Sequence, residues 1–231
     1  MIRRLIAGAC MLALAPLSQA EGLAVTLHAS ALGGGIELTR PIAPAFNARL
    51  AYHQYRSLGA DPFALMDQFD SFWTDLFGIT RSDNVYNYQG RQHLLSLIAD
   101  WYPDPDSQSH FSAGLGYNRN SEDITGLEQI TGGYILGGTH YSANQVGVLQ
   151  GHVSHNGLAP YLGWGWGNPV KNGKSWGFKL DAGVIYQGRP TVTLGATGTV
   201  AAADIEAERA RLENEASLWS PLLSMGVSYQ W

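Results

Sequence analysis

The sequence predicts an all-β protein: a closed antiparallel transmembrane β-barrel of 8–10 strands, with two short helices in connecting loops. Three observations carry this. Charged residues are only 14% of the chain, while glycine (28 residues) and aromatics (11%) are abundant, which suits an apolar exterior better than a soluble helical domain. Several segments alternate strictly between apolar and small or polar residues, the period of a two-faced strand. No segment after the first 20 residues approaches the 18 or so consecutive apolar residues of a membrane-spanning helix.

Residues 1–20 read as an export signal, leaving 21–231 as the barrel domain. Arg3 and Arg4 form a basic start, Leu5 to Leu17 an apolar run, and Ser18-Gln19-Ala20 a small-x-small cleavage site after Ala20. A lipoprotein site at Ala7-Gly8-Ala9-Cys10 is the competing reading, but little apolar run precedes Cys10 and more follows it. Cys10 is the only cysteine, so the processed chain would have no disulfide and must be closed by other means. Loss of Arg3 and Arg4 leaves 12 basic against 19 acidic residues, a net −7, which argues against nucleic acid as a partner.

Alternation is clearest at the end of the chain. Leu223, Met225, Val227, Tyr229 and Trp231 oppose Ser224, Gly226, Ser228 and Gln230. From Trp176, the set Trp176, Phe178, Leu180, Ala182, Val184 and Tyr186 opposes Gly177, Lys179, Asp181, Gly183 and Gln187, with Ile185 out of pattern. Aromatics at both ends of an apolar stripe are the mark of a lipid-facing strand between two interfaces. The predicted girdle comprises Trp101, Trp164, Trp166, Trp176, Tyr186, Tyr229 and Trp231. The opposing faces are rich in glycine rather than Lys, Glu and Thr, as a narrow lumen requires and a soluble sandwich does not.

Eight stretches fit strands: 31–40, 46–57, 87–102, 109–119, 146–155, 159–168, 176–187 and 221–231. Two shorter candidates are 23–29 and 191–198. Pro41 to Ala45, Pro103 to Ser107 and Asn156-Gly157 read as short connectors; 58–86, 120–145 and 188–220 read as long ones. Eight strands so chosen would place the first two long loops on the periplasmic side, against the usual pattern of short periplasmic turns. Ten strands, with a hairpin near Ser30 to Gly35, give a consistent topology and are slightly favoured; a bulge there would leave eight or nine.

Two inserts read as helices. Asp61-Pro62 starts one, with Phe63, Met66, Phe69, Trp73, Leu76 and Phe77 on one face, acidic enough to favour packing on the rim. Asp204 to Ser217 is the other, capped by Asp204, with Glu206–Arg209 and Glu208–Arg211 pairs and a thin stripe of Ile205, Leu212 and Trp219.

The strand Pro160-Tyr161-Leu162-Gly163-Trp164-Gly165-Trp166-Gly167, the strand Asp181-Ala182-Gly183-Val184-Ile185-Tyr186 and the final Gly226-Val227-Ser228-Tyr229-Gln230-Trp231 resemble the opacity-protein and outer-membrane-protein-A-like superfamily. The chain ends in Trp where that group usually has Phe. The resemblance implies a bacterial outer-membrane location, outer-membrane lipid as surroundings and insertion by the barrel-assembly machinery. It names no extracellular partner and no activity.

Chemistry is sparse. His152 and Ser154, two apart on one strand face, resemble the His-x-Ser of lipid A deacylases, but the following strand, 159–168, offers no acid, and the shared parity with Gln150 points both into the lumen. The seven histidines show no metal spacing, Gly33-Gly34-Gly35 is not a phosphate loop, and no cofactor is expected. The lumenal face carries Glu37, Arg49, Asp100, Lys179 and Asp181. These predict a paired polar plug or, second, a selectivity filter. The expected function is a non-enzymatic structural or surface-interaction barrel, then a small pore, then a lipid A-modifying enzyme.

Overall fold

The computed structural model describes residues 22–30, 33–56, 85–127, 132–171, 173, 175–216 and 218–231. The predicted signal and the predicted helix after Asp61 lie outside the described residues.

Eight strands close on themselves. These are β1 (Ala24–Ser30), β2 (Gly33–Ala43), β3 (Phe46–Arg56), β4 (Val85–Trp101), β5 (Ser109–Leu127), β8 (Leu149–Trp166), β9 (Ser175–Tyr186) and β11 (Trp219–Gln230). Neighbours run β8-β5-β4-β3-β2-β1-β11-β9, and β9 returns to β8 through Tyr161↔Ile185 to Trp166↔Leu180. Closure leaves no sheet edge through this height and joins the first strand to the last, Ala24 facing Gln230.

The count of eight is reached by a different membership from the predicted set. β1 is a full partner of β2, paired from Ala24↔Thr39 to Ser30↔Gly33, so a hairpin stands near Ser30 rather than a bulge. Asn156-Gly157 is not a turn. β8 passes straight through it, with Asn156 opposite Arg119 and Gly157 opposite Asn118, so 146–155 and 159–168 are one strand. β10 (Thr191–Ala196) is a ninth strand that pairs with β8 only over Leu149–Ser154 and does not span the barrel. The favoured ten-strand count is therefore corrected to eight.

This membership sorts the connections between the two ends of the barrel. The short connections at 44–45, 102–108 and 167–174 lie at one end with Gly22 and Trp231. The strand ends Arg56 and Val85, Leu127 and Leu149, and Tyr186 and Trp219 lie at the other, with the β1–β2 ends Ser30 and Gly33. β5 runs eight residues past its predicted end, because Ser121, Glu122 and Asp123 are polar on both faces yet pair in full with β8.

Outside, the wall is apolar: Leu27, Leu97, Leu115, Leu162, Phe178 and Met225 are all exposed. Trp101, Trp164, Trp166, Trp176, Tyr229 and Trp231 ring the short-turn end, whereas Tyr186 sits at the other, its ring 5.0 Å from Trp219. Inside, the lumen is filled in layers. A charged layer at the short-turn side is followed by an apolar one of Leu94, Ile98, Ala159, Tyr161, Ile185 and Leu222. Ile185, out of pattern in the sequence, is a lumenal side chain of this layer.

Beyond the closed section β4, β5, β8 and β10 continue as a curved half-wall. Its inner face holds a second core of Tyr86, Ile124, Tyr134, Leu136, Val146 and Leu149. The small hairpin β6 (Tyr134–Leu136) and β7 (Thr139–Tyr141), a one-turn helix α1 (Ala143–Val146) and the helix α2 (Ala202–Glu215) complete this cap. Asp204 does not cap α2. Ala201 stands at the cap position, and Asp204 in the first turn accepts a hydrogen bond from the Tyr141 hydroxyl. Trp219 belongs to β11 rather than to the helix stripe. Glu208 is buried and accepts from the Tyr86 hydroxyl (2.8 Å) and Arg211 (3.0 Å), and Glu213 accepts the Val192 N–H (3.0 Å).

Candidate functional site: a charged layer in the lumen

Strand parity places the charged layer. Glu37 and Thr39 on β2, Arg49 on β3, Asp100 on β4, His110 and Ser112 on β5, and Lys179 and Asp181 on β9 all point inward, and each is buried. Their outward neighbours Leu38, Trp101, Phe111 and Leu180 are exposed. An apolar exterior forces the polar set into the lumen, because a register slip of one residue would send these charges into lipid.

Arg49 is the hub. Its Nη1 lies 2.9 Å from Glu37 Oε2 and 3.3 Å from Asp181 Oδ2, its Nε 2.7 Å from Asp100 Oδ2, and its Nη2 donates to Ser112 Oγ at 3.0 Å. Lys179 Nζ bridges Glu37 Oε1 (2.7 Å) and Asp181 Oδ2 (3.1 Å). Thr39 donates to Glu37 Oε1, and Ser112 to Asp100 Oδ1 at 2.6 Å. Two basic side chains thus face three carboxylates, with Arg49 reaching all three and Lys179 two of them. All five sequence-predicted lumenal residues meet in this one network.

His110 was not singled out by the sequence reading, yet it completes the layer: its Nε2 is 3.1 Å from Asp181 Oδ1 and 3.9 Å from Asp100 Oδ1. Its parity with Ser112 was the available signal. Gly165 makes room for it, since a Cβ there would stand 2.5 Å from His110 Nε2 and 2.6 Å from Asp181 Oδ1. Below the layer Tyr102 donates to the Gly167 carbonyl, and Gln230 to that of Val170, across the short-turn mouth. Above it, the rings of His28 and His53 meet edge to face at 4.4 Å. The space between charged layer and histidines is about 20 Å³, enough for about one water.

His152 and Ser154 lie elsewhere. The continuous β8 gives them the parity of Leu158, Leu162 and Trp164, so they face outward, not into the lumen. A turn at Asn156-Gly157 would break this parity, and the continuous strand keeps it, with Gln150 outward as well. The acid absent from the following strand is present on the preceding one: Asp123 on β5 is opposite His152, with Oδ1 2.8 Å from Nδ1. Among the described residues no hydrogen bond joins Ser154 to His152, and no group of three or more His, Cys, Asp or Glu is placed to hold a metal ion.

An eight-stranded closed antiparallel barrel with an apolar exterior and a filled polar lumen defines the class of small membrane-type β-barrels. Solved structures share the fold. The chain is similar to CarO of Acinetobacter baumannii (TM-score 0.58, 22% identity, covering 90% of this chain and 97% of that one). It is also similar to CarO2 of the same organism (TM-score 0.54, 20% identity, 90% and 98%). No protein-family model matches the sequence, and no curated relative matches it.

Proposed function

We propose that the chain is an integral outer-membrane barrel of structural or surface-interaction type, exported by a leader cleaved after Ala20. Its lumen is a plug rather than a passage. The observation that supports this is the filled interior: the cross-linked charges around Arg49 and the apolar layer of Ile98, Tyr161 and Ile185 occupy the lumen in successive layers. In narrow barrels of about eight strands, side chains can fill the interior. The three long connections, the β1–β2 turn and the cap are then extracellular and form the surface available to partners, while the turns between β2 and β3, β4 and β5, and β8 and β9 are periplasmic.

The test combines fractionation with conductance. A boiled sample of the outer-membrane fraction should migrate differently from an unboiled one, and the purified barrel should give no steady conductance steps in planar bilayers. Reproducible steps in the unmodified protein would replace the plug with the pore.

Lipid A modification is the second reading, favoured by the outward Asp123–His152 pair beside Ser154. An acylation pattern of lipid A that depends on Ser154 would promote it; an unchanged pattern in Ser154→Ala would remove it.

A further inference from the structure

The apolar exterior is not of even height. On β11 it runs ten residue steps, from Tyr229 to Trp219. On β4 and β5 it runs six steps, from Trp101 to Leu95 and from Phe111 to Tyr117. At about 3.3 Å per residue and a tilt of about 40°, these correspond to roughly 25 Å and roughly 15 Å. The β3–β8 side therefore stops short of the ~25 Å apolar band of such barrels.

Cations occupy the missing height. Arg119 is eight residues beyond Phe111 on the same outward face, and Arg91 ten beyond Trp101. By the same geometry they stand roughly 20 and 25 Å above the lower girdle, at the border between acyl chains and headgroups. Both are exposed, and neither has a carboxylate or hydrogen-bond partner among the described residues. The outward carboxylate of these strands, Asp123, is taken by His152. The His93 ring lies beside them, its Nδ1 2.8 Å from the Tyr52 hydroxyl. The floor is recessed as well: the β4–β5 ladder skips residues 92 and 93, and the His93 N–H goes to Asn120 Oδ1 instead (3.0 Å). The result is an open groove of about 730 Å³ whose lower rim is Leu95, Tyr117 and the adjoining Leu158.

We infer that this groove holds the phosphate-bearing headgroup of an outer-leaflet lipid, with Arg91 and Arg119 on the phosphate and the acyl chains along Leu95 and Leu158. Guanidinium suits phosphate through paired, charge-assisted hydrogen bonds. An arginine at the headgroup level without an acidic partner has an anion of the membrane as its complement. The inference rests on the membrane reading above.

Detergent-solubilised full-length protein is titrated with lipid A carrying both phosphates, with lipid A stripped of phosphate, and with inorganic phosphate, and bound lipid is counted by native mass spectrometry. The phosphorylated lipid should bind, and Arg91→Gln/Arg119→Gln should weaken it at least about tenfold. Arg40→Gln, an exposed arginine at the opposite end, should leave it unchanged. Boiled and unboiled mobility of each variant reports folding independently, so loss of the barrel itself is distinguishable from loss of the site. Equal binding by the double variant, equal binding of dephosphorylated lipid, or inorganic phosphate binding as tightly as the lipid each overturns the inference.

Discussion

Replacing Arg49 with methionine tests whether the lumenal layer holds the barrel together. Methionine keeps most of the side-chain length and removes one charge. Glu37, Asp100 and Asp181 lose contacts of 2.9, 2.7 and 3.3 Å at once, and Ser112 loses a donor at 3.0 Å. Lys179 still reaches Glu37 and Asp181, but Asp100 keeps only Ser112 and the more distant His110. Removing one partner of a buried ion pair costs about 3–5 kcal/mol, since the remaining charge is left uncompensated. The expected loss falls in that range, centred on Asp100. Reversible urea unfolding in lipid vesicles, read by tryptophan fluorescence and by the mobility of unboiled protein, measures it. Arg49→Met/Asp100→Asn should recover part of the loss, because the stranded carboxylate is gone. An Arg49→Met protein within about 1 kcal/mol of the parent, a value suited to exposed pairs, would refute the reasoning.

Further outcomes follow from other parts of the molecule. Gly165→Ala should drive His110 away from Asp181, lowering stability and altering the His110 ring resonances in NMR. Tyr161→Ala should cost about 3–5 kcal/mol as a cavity in the apolar layer; on the proposed plug reading it should still give no bilayer conductance, because the charged contacts of Arg49 are untouched. Glu208→Ala should remove the acceptor that the Tyr86 hydroxyl meets at 2.8 Å and Arg211 at 3.0 Å, at a cost of about 1–3 kcal/mol, seen as faster protease cleavage within α2 while unboiled mobility stays unchanged. Acid should release the cap before the barrel. The Val192 N–H holds the Glu213 carboxyl below the usual range, and Arg209 does the same for Glu206. Their ties are complete above the ordinary glutamate pKa and are lost as pH falls through the lower folded values. Proteolysis of α2 on acidification, ahead of any change in mobility, checks this.

The barrel wall was legible wherever one face was apolar and the other small. β9 and β11 were placed within two residues at each end, because lipid on one side and a narrow lumen on the other leave a strict two-residue period. Where strands rise beyond the apolar belt that contrast vanishes. Ser121-Glu122-Asp123 looked like loop, although its backbone is fully paired with β8. Asn156-Gly157 has the composition of a hairpin turn, but the ladder to Arg119 and Asn118 overrides the local preference. That misplaced turn also reversed the assigned face of His152 and Ser154. The five lumenal charges needed only parity to be found. His110 needed the knowledge that Asp100 and Asp181, far apart in sequence, converge on it, and no local pattern contains that.

β8 serves two neighbours in succession, β9 along Tyr161–Trp166 and β10 along Leu149–Ser154. One continuous backbone is thus shared by the sealed wall and by the cap. A single-residue insertion in β8 near Asn156 would invert every side chain above it, turning the cap's buried Leu149 towards water while the wall below stayed intact. Changes of length that leave this shared register intact are therefore those placed in the connectors, at 187–190 and 197–201. The exposed chemistry can be rewritten there without disturbing the spine that carries it.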